Sequence, residues 1–328
     1  MEKITIVLST DSNYVELLAV SIVSIMENKS EYFFYDICIL HDGLPASIKN
    51  QIINMQNNYS NAQISFIDME EHFATMFHFN NNSHTYYNKT ILYRLAIPQL
   101  FKDRQRVIYI DSDTVVLDNL VELHLCSFNN NYILSKREIV VSANIKSPSI
   151  TYQNNVYAYS CLYSKILNMP LEYFSYKAKS YINSGVLVFN IPKIIANKKD
   201  NELLELVEQY KNVCVFIDQD ILVKCFYPYI GNLADKYNMY VNHIQRYKDI
   251  SPFEKKSYIQ NLRTASILHF VDKKKPNKKR GWHNLVGFTY YGKYLQKSCF
   301  ALSYKKYFLF KYFAIIRRYI TKLSRVNI

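Results

Sequence analysis

No Asp or Glu follows Asp272, no Cys-x-x-Cys pair occurs, glycine is held to six residues, and no apolar run is long enough to cross a bilayer. Each absence removes a class of protein. The closest apolar stretch, around Phe308–Ile316, is cut by Lys311 and ends at Arg317-Arg318, so no transmembrane helix is expected. The N-terminal Met1–Leu8 turns polar too quickly for a secretory signal and reads as a buried first strand. Cys38, Cys126, Cys161, Cys214, Cys225 and Cys299 are scattered. That excludes a zinc framework or a disulfide scaffold, suits a reducing compartment, and makes the thiols small core residues.

What is present begins with an uneven charge. The net charge is +13, yet residues 1–272 carry 25 basic against 27 acidic side chains, and the 15 Lys and Arg from Lys273 onward supply the excess. The body is near neutral and the tail is basic, so an anionic partner would meet the tail. With 49% hydrophobic residues in 328, the chain can bury a full core and is neither disordered nor collagen-like.

The pattern along the body is strand, helix, strand, helix, strand. Ile4–Leu8, Tyr35–Leu40 and Gln63–Ile67 read as strands. Val15–Met26 and a segment from Pro45 to about Tyr59 read as helices. This alternation predicts an α/β fold with a parallel sheet. Further on, a helix is expected over Thr90–Leu100 and strands over Arg106–Ile110, Ile139–Ala143, Gly185–Asn190 and Ser266–Val271. Helices are expected over Pro192–Tyr210 and Asp218–Phe226. No repeat or Pro/Ser-rich linker divides the body. We expect a catalytic domain over 1–284 and a basic, aromatic helical tail over 285–328.

Val107–Ile110 runs into Asp111-Ser112-Asp113, which puts two carboxylates at the C-terminal edge of a parallel sheet, where open α/β folds bind ligands. If the chain stays extended there, the two side chains point the same way and repel unless a hard divalent cation lies between them. Mg²⁺ or Mn²⁺ in that place would help a diphosphate leave. Two exposed turn aspartates would give the same letters. Arg94 on an apolar helix would need a carboxylate or a polar ligand beside it. His269, after Ile267-Leu268, reads by itself as a core histidine.

Taken together, several segments resemble the retaining glycosyltransferases of family eight. They are Ser9–Tyr14, Leu92-Tyr93-Arg94-Leu95, Tyr109–Asp113, Tyr181–Val186, Asp218-Gln219-Asp220-Ile221-Leu222, Lys236-Tyr237-Asn238 and His269, in the family's order over about residues 4–282. The resemblance implies a single Rossmann-like nucleotide-sugar-binding domain of the GT-A type with a mixed, mostly parallel sheet. It also implies Mn²⁺ (or Mg²⁺) held by Asp111, Asp113 and His269. A UDP-sugar donor would be held by Thr10, Asp11, Asn13, Asp111, Ser112, Asn183 and Lys275, with Arg94, Asp218 and Gln219 at the reacting centre. Asn13 could equally cap the helix starting near Val15 while Asp11 binds. The chain departs from the family at Asp272, where a glycine is usual, at Trp282, displaced from Pro276, and at Asn144, where related galactosyltransferases carry an aspartate against the donor sugar. Lys273 or Lys274 could replace Lys275.

Ser303–Ile320 interleaves aromatic and aliphatic residues with Lys305, Lys306, Lys311, Arg317 and Arg318. That pattern suits a helix lying in an anionic membrane surface, or one packed on the body with solvated lysines. No nucleic-acid-binding motif accompanies the charge. The expected protein is a hexosyltransferase moving galactose or glucose to a cell-surface glycan or glycolipid, cytoplasmic and peripheral on the inner face of the plasma membrane. Self-glycosylation of a tyrosine, as in glycogenin, and a non-catalytic sugar- or membrane-binding protein on the same fold are the alternatives. A nucleotidyltransferase lacks support because Ser9–Asn13 holds no glycine.

Overall fold

A computed structural model of the chain describes residues 1–70, 89–138, 181–210, 216–241, 262–271, 275–278 and 285–305. It also describes 150–152, 155–157, 168–169 and the single residues 72, 164, 214, 256, 308, 309, 312 and 316. Strand β1 (Glu2–Thr10) pairs in parallel with β2 (Phe33–His41), which pairs in parallel with β3 (Ala62–Asp68). Helices α1 (Val15–Glu27) and α2 (Ala46–Asn54) make the crossovers. Side chains alternate across a pleated strand. Accordingly Ile4, Ile6 and Leu8 join a core with α1 on one face, and Val7 joins a second core on the other. Burial on both faces is why these strands read as continuous apolar runs rather than alternating ones.

Beyond β1 lies β4 (Arg106–Ile110), also parallel. A short strand, β5 (Thr114–Val116), follows it and leaves the main sheet, and helix α4 (Val121–Leu125) comes after a one-turn helix α3 (Ile97–Leu100) placed earlier in the chain. β6 (Ile133–Arg137) and β9 (Ile182–Asn190) extend the main sheet, with β9 antiparallel to both of its neighbours, and β10 (Ile230–Asn232) closes the edge. The strand order is β10-β6-β9-β4-β1-β2-β3. A separate pair, β7 (Ile150–Tyr152) and β8 (Asn155–Tyr157), forms a hairpin. Helices α5 (Ile191–Ala196), α6 (Lys199–Tyr210) and α7 (Ile217–Phe226) supply the core on the Val7 face. The mixed, mostly parallel α/β sheet is the one expected.

A second, three-stranded sheet positions the site. β12 (Ile267–His269) runs antiparallel to β5 and parallel to β11 (Met239–Tyr240). Its register sets His269 opposite Thr114, one residue after Asp113, and beside Tyr240. The last described helix of any length, α8 (Leu285–Leu295), packs on α1. Tyr291, Tyr294 and Leu295 enter the α1 core, Tyr291 donates to Glu16 at 2.7 Å and Asn28 donates to Tyr294 at 2.8 Å. The start of the basic tail is therefore part of the body's core.

Several expectations need correction. Thr90–Leu100 is not one helix: it is two 3-10 turns, Lys89–Ile91 and Tyr93–Ala96, followed by α3. Pro98 lies in the first turn of α3, the position where a proline's missing N–H costs nothing. Pro192–Tyr210 is two helices, broken where Lys198 takes φ +54°. Asp111–Asp113 turns rather than staying extended. Asn13 is not a cap. Tyr14 holds the N-cap position of α1 without a side-chain bond, and Asp11 Oδ1 accepts from the backbone N–H of Asn13 and Tyr14. The expected strand at 139–143, Asn144, Asp272 to Lys274 and Trp282 lie outside the described residues.

Candidate active site

β4 ends at Ile110, and Asp111's N–H donates to Gly185's carbonyl on the neighbouring β9 at 2.8 Å, so the turn begins in a fixed place. Asp111 Oδ1 accepts from Arg94 Nη2 and from the Tyr109 hydroxyl, both at 2.8 Å. Its other oxygen faces His269 Nε2 at 3.5 Å. Asp113 is buried, with one oxygen 3.1 Å from the same Nε2 and the other in contact with Lys275 Nζ. Burial alone would raise its pKa, but Lys275 and His269 outweigh that and hold the carboxyl well below the ordinary carboxylate range. Burial opposes the charge of Lys275 as well, and Asp113 beside it keeps the ammonium's pKa above its usual value.

Arg94 is the buried cation the sequence said would need partners, and it has them. Nη1 donates to the Ser184 carbonyl and hydroxyl at 2.8 Å and lies 3.1 Å from Asp218 Oδ2. Nε donates to the Ile91 carbonyl, and the guanidinium stacks over Tyr109, 4.6 Å from the ring centre. Desolvation works against its charge, but Asp111, Tyr109 and Asp218 raise its pKa. Asp218 also accepts from the Ser184 hydroxyl; burial is the largest influence on it, and its pKa is raised despite Arg94.

Asp111, Asp113 and His269 offer ligand atoms that all lie within 4.8 Å of one another. Two carboxylates and an imidazole form a donor set suited to Mn²⁺ and, with the carboxylates leading, to Mg²⁺. Gly185 is what lets the set close: a Cβ there would come within 2.2 Å of His269 Cε1 and 2.9 Å of Asp111 Oδ2. Only glycine fits.

The cluster opens on a cavity of about 380 Å³. Its lining joins Arg94, Asp111, Asp113, His269 and Lys275 to Asn183, Ser184, Asp218, Gln219, Glu138 and Tyr240. Asn183 Nδ2 donates to Glu138 Oε2 and Gln219 Oε1, each at 3.2 Å, and the Tyr240 hydroxyl donates to Glu138 at 3.0 Å. Cations and paired carboxylates at one end, with amides and carboxylates at the other, can hold a charged group and a polyhydroxylated one side by side.

Of the residues singled out from the sequence, Arg94, Asp111, Asp113, Asn183, Asp218, Gln219, His269 and Lys275 line this cavity; Thr10, Asp11, Asn13 and Ser112 do not. Ser112's hydroxyl is taken by the Ser9 carbonyl and Thr10's by the Asp11 carbonyl. The Asp11 loop is nevertheless adjacent. Tyr14 is raised in pKa chiefly by burial, and it feels Lys275, Asp113, Asp11 and Asp111 in that order. The sequence reading missed Glu138, Tyr240 and Asn238. Asn238 sat inside a quoted motif, whereas Glu138 follows Lys136-Arg137, a charged run that hides a buried strand end.

The model of glycosyl transferase family 8 matches residues 5–284. A Haemophilus influenzae protein carrying a glycosyltransferase designation is 26% identical over 226 residues, 67% of this chain and 58% of its own length. General stress protein A of Bacillus subtilis is 20% identical over 276 residues, 83% of this chain and 86% of its own. Among solved structures, the bifunctional glycosyltransferase WbbM in its apo form superposes with a TM-score of 0.79 at 22% identity, over 93% of this chain and 52% of that one. The galactosyltransferase LgtC, in complex with donor and acceptor sugar analogs, superposes with a TM-score of 0.64 at 20% identity, over 90% and 96%. At such identities these likenesses show a shared fold, the GT-A type. The chain spans little more than half the length of the Haemophilus relative and of WbbM.

Proposed function

As the chain belongs to glycosyl transferase family 8, we propose that it moves a hexose, galactose or glucose, from a UDP-sugar to a cell-surface glycan or glycolipid, with retention at the anomeric carbon. The observation that carries this reading is the convergence of Asp111, Asp113 and His269, flanked by Lys275 and Arg94, on a cavity whose other end is lined with amides and carboxylates. Asp111, Asp113 and His269 would hold Mn²⁺ or Mg²⁺. The chemistry such an ion supplies is charge neutralisation on a departing diphosphate.

The remaining roles belong to the chain's own side chains. Lys275 adds an ammonium donor to the phosphates, and Arg94 pairs with Asp111 and fixes its Oδ1 at the cavity's edge. Asp11, with Thr10, Asn13 and Ser112 around it, forms the loop we assign to the uridine. Asn183, Asp218, Gln219 and Glu138 offer acceptors and donors to the hexose hydroxyls. Asp218 is already bound to Arg94 and Ser184, and the Gln219 amide is a weak nucleophile. Neither suits a covalent intermediate, so the geometry favours front-face transfer. There the acceptor oxygen bonds to the anomeric carbon as the sugar–phosphate bond breaks, and the departing diphosphate takes the acceptor's proton. Positioning and electrostatics then provide the rate.

The test is nucleotide release from a panel of UDP-sugars, with and without Mn²⁺. Release from one hexose donor should require the metal and fall by at least about 100-fold in Asp111→Asn and Asp113→Asn, the scale of losing an electrostatic stabiliser. Activity that survives chelation and both substitutions would sink the reading. For the tail, exposed Leu302, Phe308, Leu309, Tyr312 and Ile316 among seven Lys and Arg after Ser303 support contact with an anionic membrane, at the inner face of the plasma membrane.

A further inference from the structure

Behind the carboxylate pair, a chain of amides can be read in one direction only. The Gly185 backbone N–H can do nothing but donate, and it meets Asn183 Oδ1 at 3.0 Å. Any other polar atom against that oxygen must donate as well, and the atom there is Asn238 Nδ2, at 2.8 Å. The opposite end of Asn183 faces Glu138 Oε2 and Gln219 Oε1, two acceptors, as an amino group should. With Nδ2 committed to Asn183, Asn238 turns its Oδ1 toward His269 Nδ1, at 2.8 Å. An amide oxygen there requires the hydrogen to sit on Nδ1. In the neutral imidazole that leaves Nε2 with a bare lone pair, and Nε2 is the nitrogen facing Asp113 and Asp111.

Asn238 has little freedom to turn otherwise. It is fully buried, its carbonyl accepts from Lys136 Nζ at 2.8 Å, and the two residues after it pair with the strand that carries His269. We propose that Asn238 is a positioning residue that locks His269 in the Nδ1–H tautomer, so that Nε2 is presented as a metal donor. The same amide ties this histidine to Asn183 at the sugar end of the cavity. The inference rests on the metal reading of the site and deepens it. A metal-bound histidine is generally held through its other nitrogen, and loss of that partner lowers metal affinity about 10- to 100-fold.

The full chain, metal-free and carrying isotope-labelled histidine, would be studied by long-range nitrogen–proton correlation. His269→Gln identifies the relevant signals. A hydrogen on Nδ1 is expected for His269, alone or beside one on Nε2; a hydrogen on Nε2 with none on Nδ1 overturns the proposal. Calorimetric titration with Mn²⁺ alone follows. Asn238→Ala should lose about 10- to 100-fold in affinity, while Asn238→Asp, whose carboxylate can still accept from Nδ1–H, should retain most of it. Unchanged affinity in the alanine variant, or equal losses in both, would refute the role. If the unsubstituted chain binds no Mn²⁺, the metal reading fails and the tautomer spectrum alone decides this proposal. That spectrum needs no variant of Asn238 to fold.

Discussion

At the scale of single residues, the site is governed by steric and electrostatic exclusions. Gly185 is the sharpest case, because any Cβ would overlap the His269 ring and crowd Asp111. Gly185→Ala should lower Mn²⁺ affinity and transfer by at least about 100-fold, by analogy with a misplacement near 1 Å, while melting little below the parent. Calorimetry beside a melting curve would check this. Lys136 makes a second prediction. Burial pulls its pKa down to about 8 from 10.5, against the weaker opposing pull of Asp235 and Glu138. Between those values the unfolded chain binds the proton and the folded chain does not, so stability rises with pH across that window. Below about 8 both states are protonated, and the full penalty, on the order of 3 kcal/mol at 1.36 per unit, is present. Urea unfolding from pH 7.5 to 10.5 should therefore show the parent gaining on Lys136→Met as pH rises. A flat difference would remove the buried-charge account. The aspartates and Arg94 stood out because a charge is costly in an apolar stretch, whereas His269 by itself read as a core histidine and only the family resemblance set it beside them. Glu138 and Lys136 were not: their pairing runs through β6 and Asn238, contacts that no local pattern carries.

At the scale of elements, β1, β2 and β4 were legible because burial on both faces makes them continuous apolar runs. β6 was not, since Ser135, Lys136 and Arg137 look like surface while Ser135 and Lys136 are fully buried. Their polar atoms are satisfied by the Asn183 and Asn238 carbonyls. The misread segment Pro192–Tyr210 shows a different cause. Its apolar spacing continues through Asn197-Lys198, but Lys198 takes a left-handed backbone that ends one helix before the next begins. The first of those helices, α5, depends on Asn190, whose side chain accepts from the Lys193 N–H and donates to the Asn131 carbonyl. Asn190→Ala should cost about 1 kcal/mol of unfolding free energy, as for a lost N-cap, and leave donor hydrolysis unchanged. Denaturant midpoints and rate measurements on one preparation would check both halves. The Asp111–Asp113 turn completes the case. The two carboxylates lie in one turn, and the pairing of β5 with β12 brings His269 to them, so their meeting owes nothing to extended-strand periodicity.

At the scale of the molecule, a near-neutral body carries a basic, apolar extension, and the structure shows where one gives way to the other. Tyr291, Tyr294 and Leu295 are bound into the α1 core, and Tyr304 still packs against it, with Gly292 leaving room for its ring. Leu302, Phe308, Leu309, Tyr312 and Ile316 are exposed, and Leu302, Leu309 and Ile316 recur every seven residues, two turns of a helix. For the membrane contact proposed above, the segment to remove therefore begins after Lys305 rather than at Leu285, since Tyr304 still packs on the core. Removing residues 306–328 spares every described core contact while deleting six Lys and Arg, each worth about 1 kcal/mol near an anionic surface. Even if salt screening halves that sum, partitioning onto phosphatidylserine-containing vesicles should fall more than about 100-fold. Metal-dependent hydrolysis of a soluble UDP-sugar should stay within about twofold, since no residue of the cavity is touched. Flotation of the truncated chain equal to that of the full one would assign the membrane contact elsewhere. Loss of hydrolysis would mean that the tail helps to form the site itself.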